Sequence, residues 1–186
     1  MQVDFLPEAR LAMLGLLNNG DFEFPVSGLP FDWTIGSLRG ARTQIVLEDE
    51  SNRVLRVELF GGRVPFRHVW QHLLLRPGEY RLRGEVASMQ LVNERGMQWL
   101  ITCAGALRAV LLATERVSGT RPWTGFDAAF EVPNRDDCRT QEITLVLAAR
   151  IPAEQEAEGE IRYDSLRIER VARASYAQPG RGDGDD

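Results

Sequence analysis

The chain has 186 residues, 44% of them hydrophobic and 26% charged, the size and balance of one domain that can bury a core without metal or disulfide. Its formal net charge of −5 argues against nucleic acid as the main partner, which would need a basic face. All 22 basic residues are arginine, a codon signature that points to a GC-rich, bacterial genome.

No stretch reaches the ~20 apolar residues of a membrane helix, so membrane insertion is not expected. Asp4, Pro7 and Glu8 stand where a signal peptide needs basic and apolar regions. The chain is then either cytoplasmic or part of a longer exported protein. Residues 7–17 form the helical stretch, with Pro7 near its start and Asp4 as a cap. Residues 1–17 are a helical segment or linker.

After Asn18 the pattern changes to short apolar-alternating runs broken by Gly, Pro, Asn and Asp. That spacing belongs to β-sandwiches and barrels. It predicts strands over 21–24, 33–37, 43–47, 53–59, 64–75, 78–90, 97–105, 109–114, 123–132, 142–150 and 159–170. Arg76-Pro77-Gly78-Glu79 reads as a type II turn, and Asn93-Glu94-Arg95-Gly96 as a hairpin tip. The expected domain is all-β and spans residues 18–171, two antiparallel sheets packed face to face. Residues 172–186 have no apolar periodicity and end in acidic residues, and are read as a disordered tail.

Alternation assigns faces. If Leu73 and Leu75 face the core, Val69 does too, and Trp70 points outward with His68 and His72. If Leu100 and Thr102 face inward, Trp99 and Ile101 face outward. Tyr80, Leu82, Gly84 and Val86 make one face of their strand; Arg81, Arg83, Glu85 and Ala87 make the other. His68 and His72 cannot share a metal ion, because residues four apart on a strand are about 13 Å apart. The sequence holds no G-x-S-x-G elbow and no P-loop. Cys103 and Cys138 lack zinc or C-x-x-C spacing, which leaves two free thiols or one disulfide.

Particular residues resemble a known family. Leu16-Leu17-Asn18-Asn19-Gly20-Asp21-Phe22-Glu23, followed by Phe31-Asp32-Trp33, resembles the opening of carbohydrate-binding modules of the galactose-binding-like jelly-roll type. The run from Gln71 to Leu82, the run from Trp123 to Pro133 and Ile161-Arg162-Tyr163-Asp164-Ser165-Leu166 resemble its later landmarks in the same order. The likeness is nearest to a variant at the C-terminal end of bacterial tetratricopeptide-repeat proteins, where residues 7–17 would join the repeats.

The resemblance implies a two-sheet jelly roll and a non-catalytic module that binds a poly- or oligosaccharide on its concave sheet. The alternative it leaves open is a scaffold domain of the same fold that binds a protein of the cell envelope. Trp70, Arg81, Arg83, Glu85 and Trp99 are the expected ligand-binding residues, and Trp33 and Trp123 occupy landmarks that are usually core. The resemblance also implies a structural calcium held by Glu23 and Asp164, with carbonyls of the 18–20 turn and the 36–40 loop completing its oxygen shell. In the resembling variant the segments of Cys103 and Cys138 are neighbours, and Cys138 stands in a polar turn unsuited to an unpaired thiol. This favours a disulfide, and with it the periplasm or cell surface.

Overall fold

The computed structural model describes residues 15–171. The expected tail at 172–186 and most of the expected helix at 7–17 lie outside them, and residues 15–17 form a bend rather than helix.

Ten strands follow in chain order: β1 Thr34–Ile35, β2 Ala41–Leu47, β3 Arg53–Arg63, β4 Val69–Leu73, β5 Gly78–Val92, β6 Met97–Cys103, β7 Val110–Ala113, β8 Gly119–Val132, β9 Gln141–Leu147 and β10 Glu156–Arg170. They pair into two five-stranded sheets. Sheet I has the order β1-β4-β9-β6-β7 and sheet II the order β2-β3-β10-β5-β8. All pairings are antiparallel. Two 3-10 turns, Asp136–Cys138 and Pro152–Gln155, are the only helical elements among the described residues. β8 forms an edge of sheet II, and its pairing with β5 slips twice, between Val86 and Ser88 and between Ser88 and Leu91.

The core lies between the sheets because each strand turns one set of alternating side chains inward. β4 contributes Val69, Gln71 and Leu73, β9 Ile143 and Leu145, and β10 Ile161 and Tyr163, all buried. β6 contributes Met97, Trp99, Ile101 and Cys103. Trp99 is thus fully buried, which corrects the expectation that it lines a ligand face. Leu100 misled that reading: it is the outward residue, flanked by Gln98 and Thr102. A relay of rings crosses the core, with centroids 5.5 Å apart for Phe22–Trp33, 5.6 Å for Trp33–Trp99 and 5.2 Å for Trp99–Tyr163. It joins the opening segment to β6 of sheet I and β10 of sheet II.

The expected first strand at 21–24 is a turn instead. Asn19 adopts φ 49° and Phe22 φ 55°. The Asn19 side chain donates to the Phe24 carbonyl at 2.8 Å and accepts from the Phe24 N–H at 3.0 Å. That clasp competes with a ladder for the same backbone groups and swings the Phe22 ring into the core. Gly20 sits against β10: a Cβ there would lie 1.9 Å from the Leu166 carbonyl oxygen, so no other residue fits without moving backbone.

Candidate carbohydrate-binding face

The outward residues of sheet I form rows fixed by register. One row runs Thr34, Trp70, Thr144, Leu100, Ala113 across β1, β4, β9, β6 and β7. The next runs His72, Glu142, Thr102, Val110, and a third pairs Val146 with Gln98. Although they point away from the core, Gln98 is only 8% exposed and Thr144 only 4%. Outward polar side chains on a flat open sheet would be wet, so this face is recessed and its polar groups are held among their neighbours.

Trp70 is half-buried in this face and meets the His72 ring edge-on, centroids 4.8 Å apart. Glu142 accepts a hydrogen bond from Thr144 Oγ1 at 2.9 Å and forms an ion pair with Arg108 at 3.7 Å. Arg108 is carried on the loop after β6 at φ 41°. His72 Nδ1 is buried and has no hydrogen-bond partner. The arrangement offers one indole beside a row of hydroxyl, amide and carboxylate groups. An indole packs on the C–H face of a sugar ring while such polar groups exchange hydrogen bonds with its hydroxyls. Sequence alternation placed Trp70 here. It did not find Gln98, Thr102, Arg108, Glu142 and Thr144, which join Trp70 only through the β4–β9–β6 register.

Arg81, Arg83 and Glu85 are on the other side of the molecule, on the outer face of sheet II. The whole core separates them from Trp70, so the expected single groove is corrected to two opposite faces. The guanidinium groups are already engaged: Arg81 Nε donates to Asp127 at 2.7 Å, and Arg83 donates to Asp127 at 3.0 Å and Glu169 at 2.9 Å. The hydrogen bond from Arg81 holds the Asp127 carboxyl below its ordinary range and raises Arg81 in turn. Exposed pairs of this kind contribute little to stability. Glu85 lies opposite Asp164 on β10. Trp123, at a landmark expected in the core, is 37% exposed on this face, where its Nε1 donates to Glu48 at 3.3 Å.

Glu23 and Asp164 are brought near each other. Asp164 is buried, and burial first, then the charges of Glu23 and Glu85, push its carboxyl above the ordinary range. Its oxygens accept from Ser165 N at 2.6 Å and Asn52 Nδ2 at 3.1 Å, and Glu23 accepts from Arg53 N at 2.9 Å. Of the carbonyls expected to complete a metal shell, those of the 18–20 turn each already accept a hydrogen bond. Asn18 O receives Gln71 Nε2, Asn19 O receives Trp33 Nε1, and Gly20 O receives Leu166 N. No group of three or more His, Cys, Asp or Glu side chains among the described residues could hold a metal ion.

Cys103 and Cys138 form a disulfide, with Cα atoms 4.6 Å apart and both residues buried. The bridge ties the end of β6 to the 3-10 turn before β9. Beside it Ala104 N donates to Thr140 O at 2.8 Å, and a Cβ on Gly105 would lie 2.3 Å from the Asp137 carbonyl oxygen. The base of the Arg108 loop is therefore stapled next to the recessed face.

No family model and no curated protein matches this chain. Solved structures do. A CBM4 module superposes with a TM-score of 0.59 at 16% identity, over 83% of this chain and 99% of that one. The fold is that of the carbohydrate-binding jelly rolls. A protein of Bacteroides thetaiotaomicron gives 0.59 at 9% identity, over 85% of this chain and 100% of its own. The CBM22-1 xylan-binding domain of Paenibacillus barcinonensis gives 0.53 at 12%, over 83% and 94%. In the jelly roll described here the recessed face is the outer surface of sheet I.

Proposed function

We propose that this domain binds a poly- or oligosaccharide on the recessed outer face of sheet I and catalyses no reaction there. The observation that carries the reading is the half-buried Trp70 in register with shielded outward polar groups on two neighbouring strands. The fold relatives support it: one is described as a xylan-binding domain and another was solved with β-1,4-galactotriose. The disulfide supports an exported setting, periplasm or cell surface.

The test is a glycan array followed by titration calorimetry on Trp70→Ala. An aromatic anchor at a binding centre is worth about 2 kcal/mol, so affinity falls roughly 30-fold. The melting temperature changes little, since the ring is partly in water already. Glycan binding undiminished in Trp70→Ala would remove this face from the reading, and no glycan bound at all would favour the protein-binding scaffold.

A calcium ion shared by Glu23 and Asp164 is a second proposal, supported by the nearness of the Glu23 carboxylate to Asp164, whose carboxyl it helps to push above its ordinary range. Its oxygen shell draws on the side chains and on groups other than the engaged 18–20 carbonyls. Excess chelator should lower the melting temperature, because a ligand of the native state alone stabilises it; an unchanged melt removes the metal.

A further inference from the structure

β2 ends sheet II on the side of β3, and its ladder to β3 fixes which of its backbone groups stay free. Glu48 N donates to Asn52 O at 2.8 Å, and Phe60 N donates to Gly40 O at 2.9 Å. Both contacts lie in the register that sets Arg42 against Glu58 and Gln44 against Arg56. Bonded and unbonded pairs alternate along an antiparallel ladder, so Arg42, Gln44 and Val46 direct their backbone groups to β3. The N–H and C=O of Thr43, Ile45 and Leu47 therefore point out of the sheet, where no strand lies among the described residues.

The side chains follow the same alternation. Arg42 and Gln44 stand exposed on the outer face, while Ile45 packs against the core from the border. Leu47, on the same side as Ile45, is 57% exposed. Charge is divided between the two ends of the strand. Arg39 and Arg42 mark its start, and Glu48, Asp49 and Glu50 follow its end. Of these, Arg39, Arg42, Asp49 and Glu50 are exposed.

We propose that two copies of this chain join through β2, antiparallel, in the register that sets Ile45 against Ile45 of the second copy. The free groups then match without remainder. Ile45 exchanges hydrogen bonds with its counterpart, and Thr43 of each copy does so with Leu47 of the other. Gln44 stands across from Val46, and Leu47 is shielded on the core side by Thr43. The acidic turn of each copy comes beside the basic start of the other, whereas a parallel pairing would set like charges together. The arrangement is two-fold and occupies β2 in both copies, so it closes at two. Its axis stands perpendicular to sheet II, which leaves the outer faces of sheet I pointing the same way. On the sugar-binding reading above, one polysaccharide surface then meets both faces at once.

The test is sedimentation velocity from about 1 μM to 1 mM, since an interface of one strand pair is small. The wild-type chain should pass from the mass of one copy to that of two. Ile45→Pro removes a donor that faces the second copy and none that serves β3, a setting in which a border strand tolerates proline. It should weaken association about tenfold or more. Arg39→Glu with Arg42→Glu sets acidic ends against each other and should weaken it similarly, with added salt restoring part of the loss. Gln44→Cys copies mixed with Val46→Cys copies should form a disulfide-linked pair under mild oxidation, and neither variant alone should. A single copy at every concentration overturns the inference. So do species larger than two, a dimer that survives Ile45→Pro or the charge reversal, and a dimer that cross-links through Gln44→Cys alone. If Ile45→Pro fails to fold, the charge-reversed protein and the cross-linking decide. None of these readouts involves a glycan, so the loss of the sugar-binding reading would leave the pairing standing.

Discussion

Replacing both bridging cysteines, Cys103→Ala with Cys138→Ala, isolates what the disulfide does to the unfolded chain. The bridge closes a loop with a sequence separation of 35. In the chain-entropy model that loop removes about 12.7 cal/mol/K from the denatured ensemble, or about 3.8 kcal/mol at room temperature. Whole domains are stable by only about 5–15 kcal/mol, so the loss is a large share of the total. Both sulfurs are buried, so alanine also leaves a small void on the native side. Equilibrium urea unfolding should show a lower midpoint and a steeper m-value, since the unbridged chain exposes more surface when it unfolds. A loss under about 1 kcal/mol with an unchanged m-value would refute the reasoning. It would mean that the unfolded segment between the cysteines is compact without the bond, or that the bond strains the folded chain by as much as it restrains the unfolded one.

Two further perturbations separate core from surface. Trp99→Ala removes a fully buried ring that touches Trp33 and Tyr163, so a stability loss of about 3–5 kcal/mol is expected by chemical denaturation; a loss near 1 would contradict the packing. Glu154 is held at about 2, below the ordinary glutamate range, first by the hydrogen bond from Arg95 and then by the Arg150 N–H. A depressed carboxylate stabilises the fold above its unfolded value, near 4.3, and that contribution is lost as pH falls toward 2. Glu154→Gln should therefore melt lower than wild type at pH 7, with the gap closing between about pH 4 and 2; a gap independent of pH would place its cause elsewhere.

Ten of the eleven expected strands are present because their signals are local: alternation of apolar residues, and turns such as Arg76-Pro77-Gly78. The strand at 21–24 failed because Asn19 captures the backbone of Phe24, a competition that composition does not announce. Trp70 was legible because its neighbours Val69 and Leu73 are unambiguously inward. Trp99 was not, since Leu100 and Ile101 are both apolar and alternation has nothing to choose between. The pairing of Cys103 with Cys138 came from resemblance and the polar setting of Cys138, and it is present. The opposite placement of Trp70 and Arg83 depends on which sheet each strand joins, which is long-range information. Likewise Glu142, Thr144 and Gln98 become one face with Trp70 only once β9 lies between β4 and β6. Trp123 is on the surface because it alternates in phase with Gly125 and Asp127, opposite to the inward Phe130 and Val132, so the landmark it occupies misled where alternation along its own strand would not have.

The register slips between β5 and β8 have a consequence for how the molecule behaves among its own copies. β8 runs fourteen residues along an open border of sheet II, and a regular border of that length is a template for another chain to extend. Here the border is interrupted. Pro122 supplies no N–H to a newcomer, and the register breaks beside it bend the strand out of line. On sheet I the borders are β1, two residues long, and β7, four, too short to seed an added strand. β2, the seven-residue border on the other side of sheet II, pairs with β3 without a slip, so it is the border on which an added strand would find a regular template.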